Sequence, residues 1–314
     1  MYRKQSLSRW LAMITALLFV TSGGSFGQNK AAAGSRAGSA TFTVTVVGKK
    51  EATPPLALDD VQLFTGKERK QVGDWKKSDK LSISILIDDS IDSTAASQWE
   101  YLKEFIMAQP PSTYVAVGYI QNNTARIAQD FTDNHELAAK ALRIPLGLGG
   151  IGSSPYLGTL DMLKRWPSNP GFRQSIILIT SGINYFRGSN LGMFDPDLDS
   201  VIQRAERQNT NIWTIYYPTA SHRGRSYFQV NNAQNNLAKL AEDTGAESYY
   251  LGASTPVSLK PYFDEIAMHL DNQYLLTFAG SGGDKGKYQS VKMKTEIKDV
   301  EFFTPAAAYI PGTK

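Results

Sequence analysis

The sequence of 314 residues contains no cysteine and only three histidines. Without cysteine there can be no disulfide, no thiolate metal site and no cysteine nucleophile. The compartment stays open on this count, because a chain without cysteine suits either redox state. The histidines are His135, His222 and His269, and none is read at ligand spacing from another histidine or a glutamate, so a zinc site is not expected. Long apolar runs are also missing, and beyond the N-terminus no segment reaches membrane-spanning length. A strong charge of one sign is absent as well. The formal net charge is +4, and Arg3, Lys4 and Arg9 supply three of those positives at the extreme N-terminus. The high calculated pI is therefore no argument for nucleic-acid or membrane affinity.

What is present is an ordinary globular composition, 42% hydrophobic and 20% charged. The length allows one large domain, or a medium domain with additions. Residues 1–27 read as a secretory signal. The basic "MYRKQSLSR" precedes an apolar "WLAMITALLFV" that is short for a bilayer, and the small residues of "TSGGSFGQ" place cleavage near Gly27. The expected location of the mature chain is secreted or periplasmic, with no membrane insertion after cleavage.

Residues 28–40 are small and polar and read as a flexible lead-in. Residues 41–78 read as β-rich. "TFTVTVV" alternates like a strand exposed on one face, and "VQLF" opens a pair of short strands around a Gly-Lys turn. Residues 79–272 change character. "SISILID", "YVAVGYI", "SIILIT" and "NIWTIYY" are near-continuous apolar runs of the kind buried on both faces of a parallel sheet. Helical patterns lie between them. "STAASQWEYLKEFIMA" carries an apolar stripe, and "DNHELAAKAL" opens at Asp133 with Glu136 three residues on, as a capping box does. "SPYLGTLDMLKRW", "DLDSVIQRAERQ", "NNLAKLAEDTG" closing at Gly245, and "VSLKPYFDEIAMHLDNQ" complete the set. Alternating strands and helices predict an α/β fold with a doubly wound, mostly parallel sheet flanked by helices. Residues 273–314 add further strands, which either pair with the N-terminal ones or extend the sheet edge.

The stretch "LSISILIDDSIDSTAASQW", residues 81–99, drives an apolar strand into a knot of acids and hydroxyls. Open α/β sheets bind ligands beyond the carboxyl ends of their strands, where this knot lies. Asp88, Ser90 and Asp92 alternate, so in an extended loop their oxygens converge as a hard cation requires. Asp92 or Ser93 is equally placed to cap the following helix. Two other strand-end loops offer hydroxyls: Ser153 and Ser154 in "GLGGIGSSPY", and Thr180 and Ser181 in "SIILITSGINY", with Asn184 just beyond.

With these loops in view, the chain resembles the von Willebrand factor type A family, and more closely the bacterial VWFA-related branch found in acidobacteria. The resemblance spans "DDVQLFTGKERKQVGDW", "SISILIDDSID", "NNLAKLAEDTG" and "FDEIAMHLDNQYLLTF". It implies a metal-ion-dependent adhesion site built from a D-x-S-x-S loop, a threonine in a second loop and an aspartate in a third. Asp88 and Ser90 match the first loop. Asp92 stands in place of its second serine, Ser153 in place of the threonine, and Ser181 in place of the late aspartate. The implied cofactor is a divalent cation, Mg²⁺ or Ca²⁺. The implied activity is non-enzymatic binding of a protein or matrix ligand through an acidic residue, with no nucleic acid involved. The alternatives are a structural subunit of an envelope assembly with a degenerate metal site, and a metal-assisted hydrolase.

Other signals are weaker. Gly147, Gly149 and Gly152 spell G-x-G-x-x-G, but they follow a helical pattern, not the first strand of a βαβ unit. "ITSGIN" is not a hydrolase nucleophile elbow. Asp195, Asp197 and Asp199 lack the glycine and distal glutamate of a calcium loop, which leaves Asp195 or Asp197 as a helix cap. Residues 216–232, with His222, Arg223, Arg225, Tyr227 and Phe228, read as a solvated loop that can serve recognition.

Overall fold

The structure is a computed structural model. It describes residues 38–49, 54–147, 153–167, 171–187, 195–219, 227–250, 252 and 254–312. The expected signal segment and most of the lead-in lie outside the described residues, as do Gly149, Gly152, His222, Arg223 and Arg225.

Along the chain, β1 (Ser39–Gly48) is followed by β2 (Gln62–Thr65), β3 (Glu68–Lys70) and β4 (Val72–Lys77). Next come β5 (Leu81–Asp88), a 3₁₀ segment Ser93–Gln98, α1 (Trp99–Met107), β6 (Thr113–Gln121), β7 (Thr124–Thr132) and α2 (His135–Lys140). α3 (Pro155–Arg165), β8 (Arg173–Thr180), α4 (Pro196–Gln208) and β9 (Thr210–Tyr216) continue the alternation. α5 (Tyr227–Asp243), β10 (Ser248–Tyr249) and α6 (Lys260–Asp271) close it. The chain ends in β11 (Gln273–Ala279), β12 (Lys287–Lys294), β13 (Val300–Phe303) and β14 (Ala307–Ile310).

The central sheet has the order β10-β9-β8-β5-β6-β7. Its pairs are parallel except β6 with β7. Numbered within this sheet, the strands run 3-2-1-4-5-6, so the winding reverses between β5 and β8. That reversal opens a crevice at the carboxyl ends of the two strands. β5 is buried along its whole length, with Ile83, Ile85 and Ile87 on one face and Leu86 on the other. This two-sided burial is why its sequence shows no polar alternation.

The N- and C-terminal strands pair with each other. One sheet has the order β13-β1-β11-β4 and another β14-β12-β2-β3. Phe42, Val44, Val46, Leu276 and Phe278 from the first share a core with Leu63, Val291, Met293 and Ile310 from the second. The one-face-exposed reading of β1 is corrected here. Thr43 and Thr45, on its polar face, are also fully buried. The Thr43 amide donates to Asn209 Oδ1 at 2.6 Å, and Gln273 Nε2 donates to Thr45 Oγ1 at 3.4 Å. The threonines alternate with the apolar residues, but both faces of β1 are covered: the Thr45 hydroxyl has Gln273 as a partner, whereas the Thr43 hydroxyl is buried without one among the described residues.

Local caps follow the sequence closely. Asp195 accepts from the amides of Asp197 and Leu198 at the start of α4. α5 ends in a Schellman arrangement: Gly245, at φ +76°, donates to the Glu242 carbonyl, and Ala246 donates to the Ala241 carbonyl. The cap of α2 is Asn134, not Asp133. Its side chain accepts from the Leu137 amide at 3.2 Å, while Thr132 Oγ1 accepts from the Asn134 amide. Residues 227–232 are helix, the first turn of α5, and not loop.

Candidate functional site

The apolar strand β5 delivers Asp88 to the crevice as its last residue, with only 2% of its surface exposed. Asp88 Oδ1 accepts from the Ser90 amide at 3.0 Å, which turns the chain sharply. Asp88 Oδ2 accepts from the Thr180 hydroxyl, at the end of β8, at 2.7 Å. Thr180 Oγ1 in turn accepts from the Gly182 amide at 3.1 Å. Burial pushes the Asp88 carboxyl above its ordinary pKa, against the opposing pull of the Thr180 and Ser90 hydrogen bonds. Among the described residues no lysine, arginine or histidine pairs with Asp88.

The neighbouring Asp89 has the opposite fate. The Arg143 guanidinium grips it in a bidentate pair, at 2.7 Å to Oδ1 and 2.6 Å to Oδ2. Gln121 Nε2 also donates to Oδ2, and the Leu146 amide donates to Oδ1 at 3.2 Å. Arg143 stacks on Tyr119 with 3.7 Å from its central carbon to the ring centre. Asp89 is therefore a structural anchor for the segment after α2.

Of the two roles open to Asp92, the cap is the one observed. Asp92 Oδ1 accepts from the Thr94 amide at 2.9 Å and the Thr94 hydroxyl at 2.8 Å, at the head of the 3₁₀ segment. Its backbone amide donates to the Pro218 carbonyl at 2.9 Å, which draws this loop against the end of β9. Ser90 is buried beside Asp88. Ser181 is fully buried and its Oγ accepts weakly from the Ile183 amide at 3.4 Å. Ser153 is 9% exposed, and its carbonyl accepts from the amides of Tyr185 and Phe186 at 2.8 and 3.1 Å. No hydrogen bond of the Ser153 hydroxyl is found among the described residues.

These contacts lace together the loops after β5, before α3 and after β8. Ser154 caps α3, and its amide donates to Asn123 Oδ1 at 2.7 Å. The Tyr156 hydroxyl donates to the Gly182 carbonyl at 2.8 Å. Asn184 Nδ2 donates to Asp195 and Asp197, and Arg187 pairs with Asp197 at 2.6 Å. Asp195 and Asp197 are thus tied to the same rim but already satisfied, as the cap reading of that stretch requires.

Sequence reasoning names Thr180 as a hydroxyl near the site but assigns it no role. The partner of Asp88 on β8 is Thr180, and the last position of a strand run beside the aspartate was the available signal. Chemically, the rim offers in Asp88 a buried carboxylate that pairs with no base among the described residues, beside hydroxyls with lone pairs to spare. Such a donor set is oxygen-only, hence suited to a hard cation.

No family model matches the chain, and no curated protein does. Similar solved structures include an aerotolerance-related membrane protein from Bacteroides fragilis, at 10% identity over 61% of this chain and 98% of that one, with a TM-score of 0.45. A von Willebrand factor type A protein from Catenulispora acidiphila shares 11% identity over 88% of this chain and 73% of that one, with a TM-score of 0.44. The manganese-loaded TRAP protein of Plasmodium vivax shares 9% identity over 74% of this chain and 95% of that one, with a TM-score of 0.38. The strand order, the antiparallel edge β7 and the Asp88-x-Ser90 turn at the reversal point stand on this chain itself. The α/β unit is a doubly wound, mostly parallel sheet flanked by helices with an antiparallel edge strand, the fold that the type A resemblance implies. Relative to the motif that the type A resemblance implies, the third loop brings Ser181 where a carboxylate would be, and Asp92, in place of a serine, faces Thr94. Among the described residues no helix is long and apolar enough to cross a membrane.

Proposed function

We propose that the chain is an extracytoplasmic, non-enzymatic binding protein. The rim of its type A domain holds a divalent cation and, through it, an acidic group of a protein or matrix partner. The observation that carries this reading is Asp88, a buried carboxylate without a cationic partner among the described residues, held by the Ser90 amide and the Thr180 hydroxyl. An isolated buried carboxylate is costly, and a cation at its side removes that cost. Asp88, Ser90, Ser153 and Ser181 would supply oxygen ligands, and Asp92 adds its charge one turn away. When bound, the ion supplies an open coordination position that makes two carboxylates attract. With a single buried carboxylate, the site is weaker than one with two, and it favours Ca²⁺ or Mn²⁺ tolerance over strict Mg²⁺ geometry.

The hydrolase reading has less support. It needs a general base within reach of an ion-bound water. Asp89 is neutralised by Arg143, and Asp92 accepts from Thr94.

Thermal unfolding of the chain in EDTA, then with Mg²⁺, Ca²⁺ or Mn²⁺, beside Asp88→Ala, tests the proposal. At a hundred times the dissociation constant an ion that binds only the folded state stabilises it by about 2.7 kcal/mol. A shift that vanishes in the variant is the expected result. Equal melting with and without every ion would overturn the cation, and metal-independent partner capture would then point to a structural envelope subunit.

A further inference from the structure

A second group of ligand-type side chains lies away from the rim. Glu265 and His269 stand four residues apart on α6, so both project from one face. Glu247, immediately before the edge strand β10, faces them from the sheet. One ligand atom of each lies within 4.8 Å of the others. The expectation that no histidine stands at ligand spacing from a glutamate is thereby corrected. The helical spacing was legible in "DEIAMHL", but the third member, remote in sequence, was not.

His269 is no surface histidine. Only 2% of it is exposed, and its ring stacks on Trp213 at 5.4 Å and meets the edge of Phe303 at 5.4 Å. That apolar clamp fixes the ring while Nδ1 looks toward Glu247 Oε2, 4.0 Å away. Among the described residues the ring has the Tyr249 hydroxyl as a hydrogen-bond neighbour at 3.4 Å, a long contact. No lysine or arginine pairs with either glutamate among the described residues. The cluster thus unites a clamped imidazole with these two carboxylates.

We propose that Glu247, Glu265 and His269 form a binding site for a borderline divalent metal ion, with Zn²⁺ as the best fit, independent of the Asp88 rim. One imidazole nitrogen and two carboxylate oxygens are a ligand set that such ions accept, and three protein ligands leave a fourth position open. Around an ion at roughly 2.0–2.2 Å, tetrahedral ligand atoms stand about 3.3–3.5 Å apart. The 4.0 Å separation of His269 and Glu247 closes to that value with a small shift of the half-exposed Glu247 side chain. The Tyr249 hydroxyl lies 3.4 Å from Glu247 Oε2 and is placed to orient that carboxylate as an outer hydrogen-bond partner. β9 and β8 separate β10 from β5, so roughly 14 Å of sheet lies between the strands that carry the two sites, at about 4.8 Å per strand.

The test is calorimetric titration of the metal-stripped chain with Zn²⁺, in parallel with Asp88→Ala, Glu265→Gln and Glu247→Gln. Glu265 is exposed, so its variant retains the parent's fold, checked by equal melting in EDTA. The expected result is one Zn²⁺ bound at micromolar affinity or tighter in both the parent and Asp88→Ala, and weakened at least tenfold in each glutamate variant. Co²⁺ in place of Zn²⁺ should give visible absorption characteristic of a tetrahedral site, lost in Glu265→Gln and kept in Asp88→Ala. Zn²⁺ affinity no tighter than millimolar in Asp88→Ala, or equal affinity in the parent and both glutamate variants, would overturn the proposal. Either result is separable from failure of the rim site, which is read from Asp88→Ala with Mg²⁺, Ca²⁺ or Mn²⁺.

Discussion

The Thr180 hydroxyl donates to Asp88 Oδ2 at 2.7 Å, linking the ends of the two strands between which the sheet reverses its winding. That bond both orients the carboxylate and lowers its proton affinity. Thr180→Val keeps the shape and removes the donor. A cation that uses Asp88 should then bind about tenfold more weakly, from loss of roughly 1–1.5 kcal/mol. Titration of ion-dependent melting in the two proteins checks this, with the EDTA melting points differing far less than those with ion present.

The Arg143–Asp89 pair is asymmetric: the aspartate is buried and the arginine side chain is 39% exposed. Removing the arginine strands a buried charge, whereas removing the aspartate frees an arginine that can reach water. Arg143→Ala should therefore cost about 2–3 kcal/mol, and Asp89→Asn less. Urea unfolding of both variants reads the order, and a larger loss in Asp89→Asn would contradict it.

Gly158 lies in α3 where that helix presses on β6. A methyl group there would meet Ile120 Cγ2 at 2.4 Å. Gly158→Ala gains about 1 kcal/mol in helix propensity, yet overpacking costs about 1–3 kcal/mol. The net expectation is destabilisation, relieved when Ile120→Ala is added. A more stable single variant would show that Ile120 yields without strain.

Glu206 in α4 accepts from the Ala307 amide of β14 at 2.9 Å, and burial raises its pKa from 4.5 to about 7. A carboxyl whose folded pKa exceeds its unfolded value favours the fold only while protonated. That contribution is complete below about 4.5 and is lost as the pH rises through about 7. Glu206→Gln keeps the acceptor and removes the ionisation. It should be more stable than the parent by about 1–2 kcal/mol at pH 8, with solvent around this partly exposed group reducing the full effect, and no more stable at pH 4.5. Melting curves at the two pH values decide it.

Much of the α/β unit was legible because its strands are two-sided apolar runs and its helices carry polar caps. "SISILID", "YVAVGYI", "SIILIT" and "NIWTIYY" all fall in observed strands. β7 escaped notice because its residues are mostly polar, as suits an edge strand. Its signal was Asn122-Asn123, both at positive φ, the two-residue turn of a hairpin. The first turn of α5 escaped because Tyr227 and Phe228 are exposed there and carry no apolar stripe. For the candidate site, the sequence located Asp88 and its loop. It could not tell which way Asp92 turns, since capping and ligation ask for the same residue type.

The terminal strands carry a consequence for the order of events in synthesis. β1 lies between β11 and β13, and β2 lies beside β12. A nascent chain presents β1 before both of its neighbours, which arrive only with the last stretch of the sequence. The pairing of β1 therefore waits on contacts of long sequence separation, whereas the helices and parallel strands between rest on more local ones.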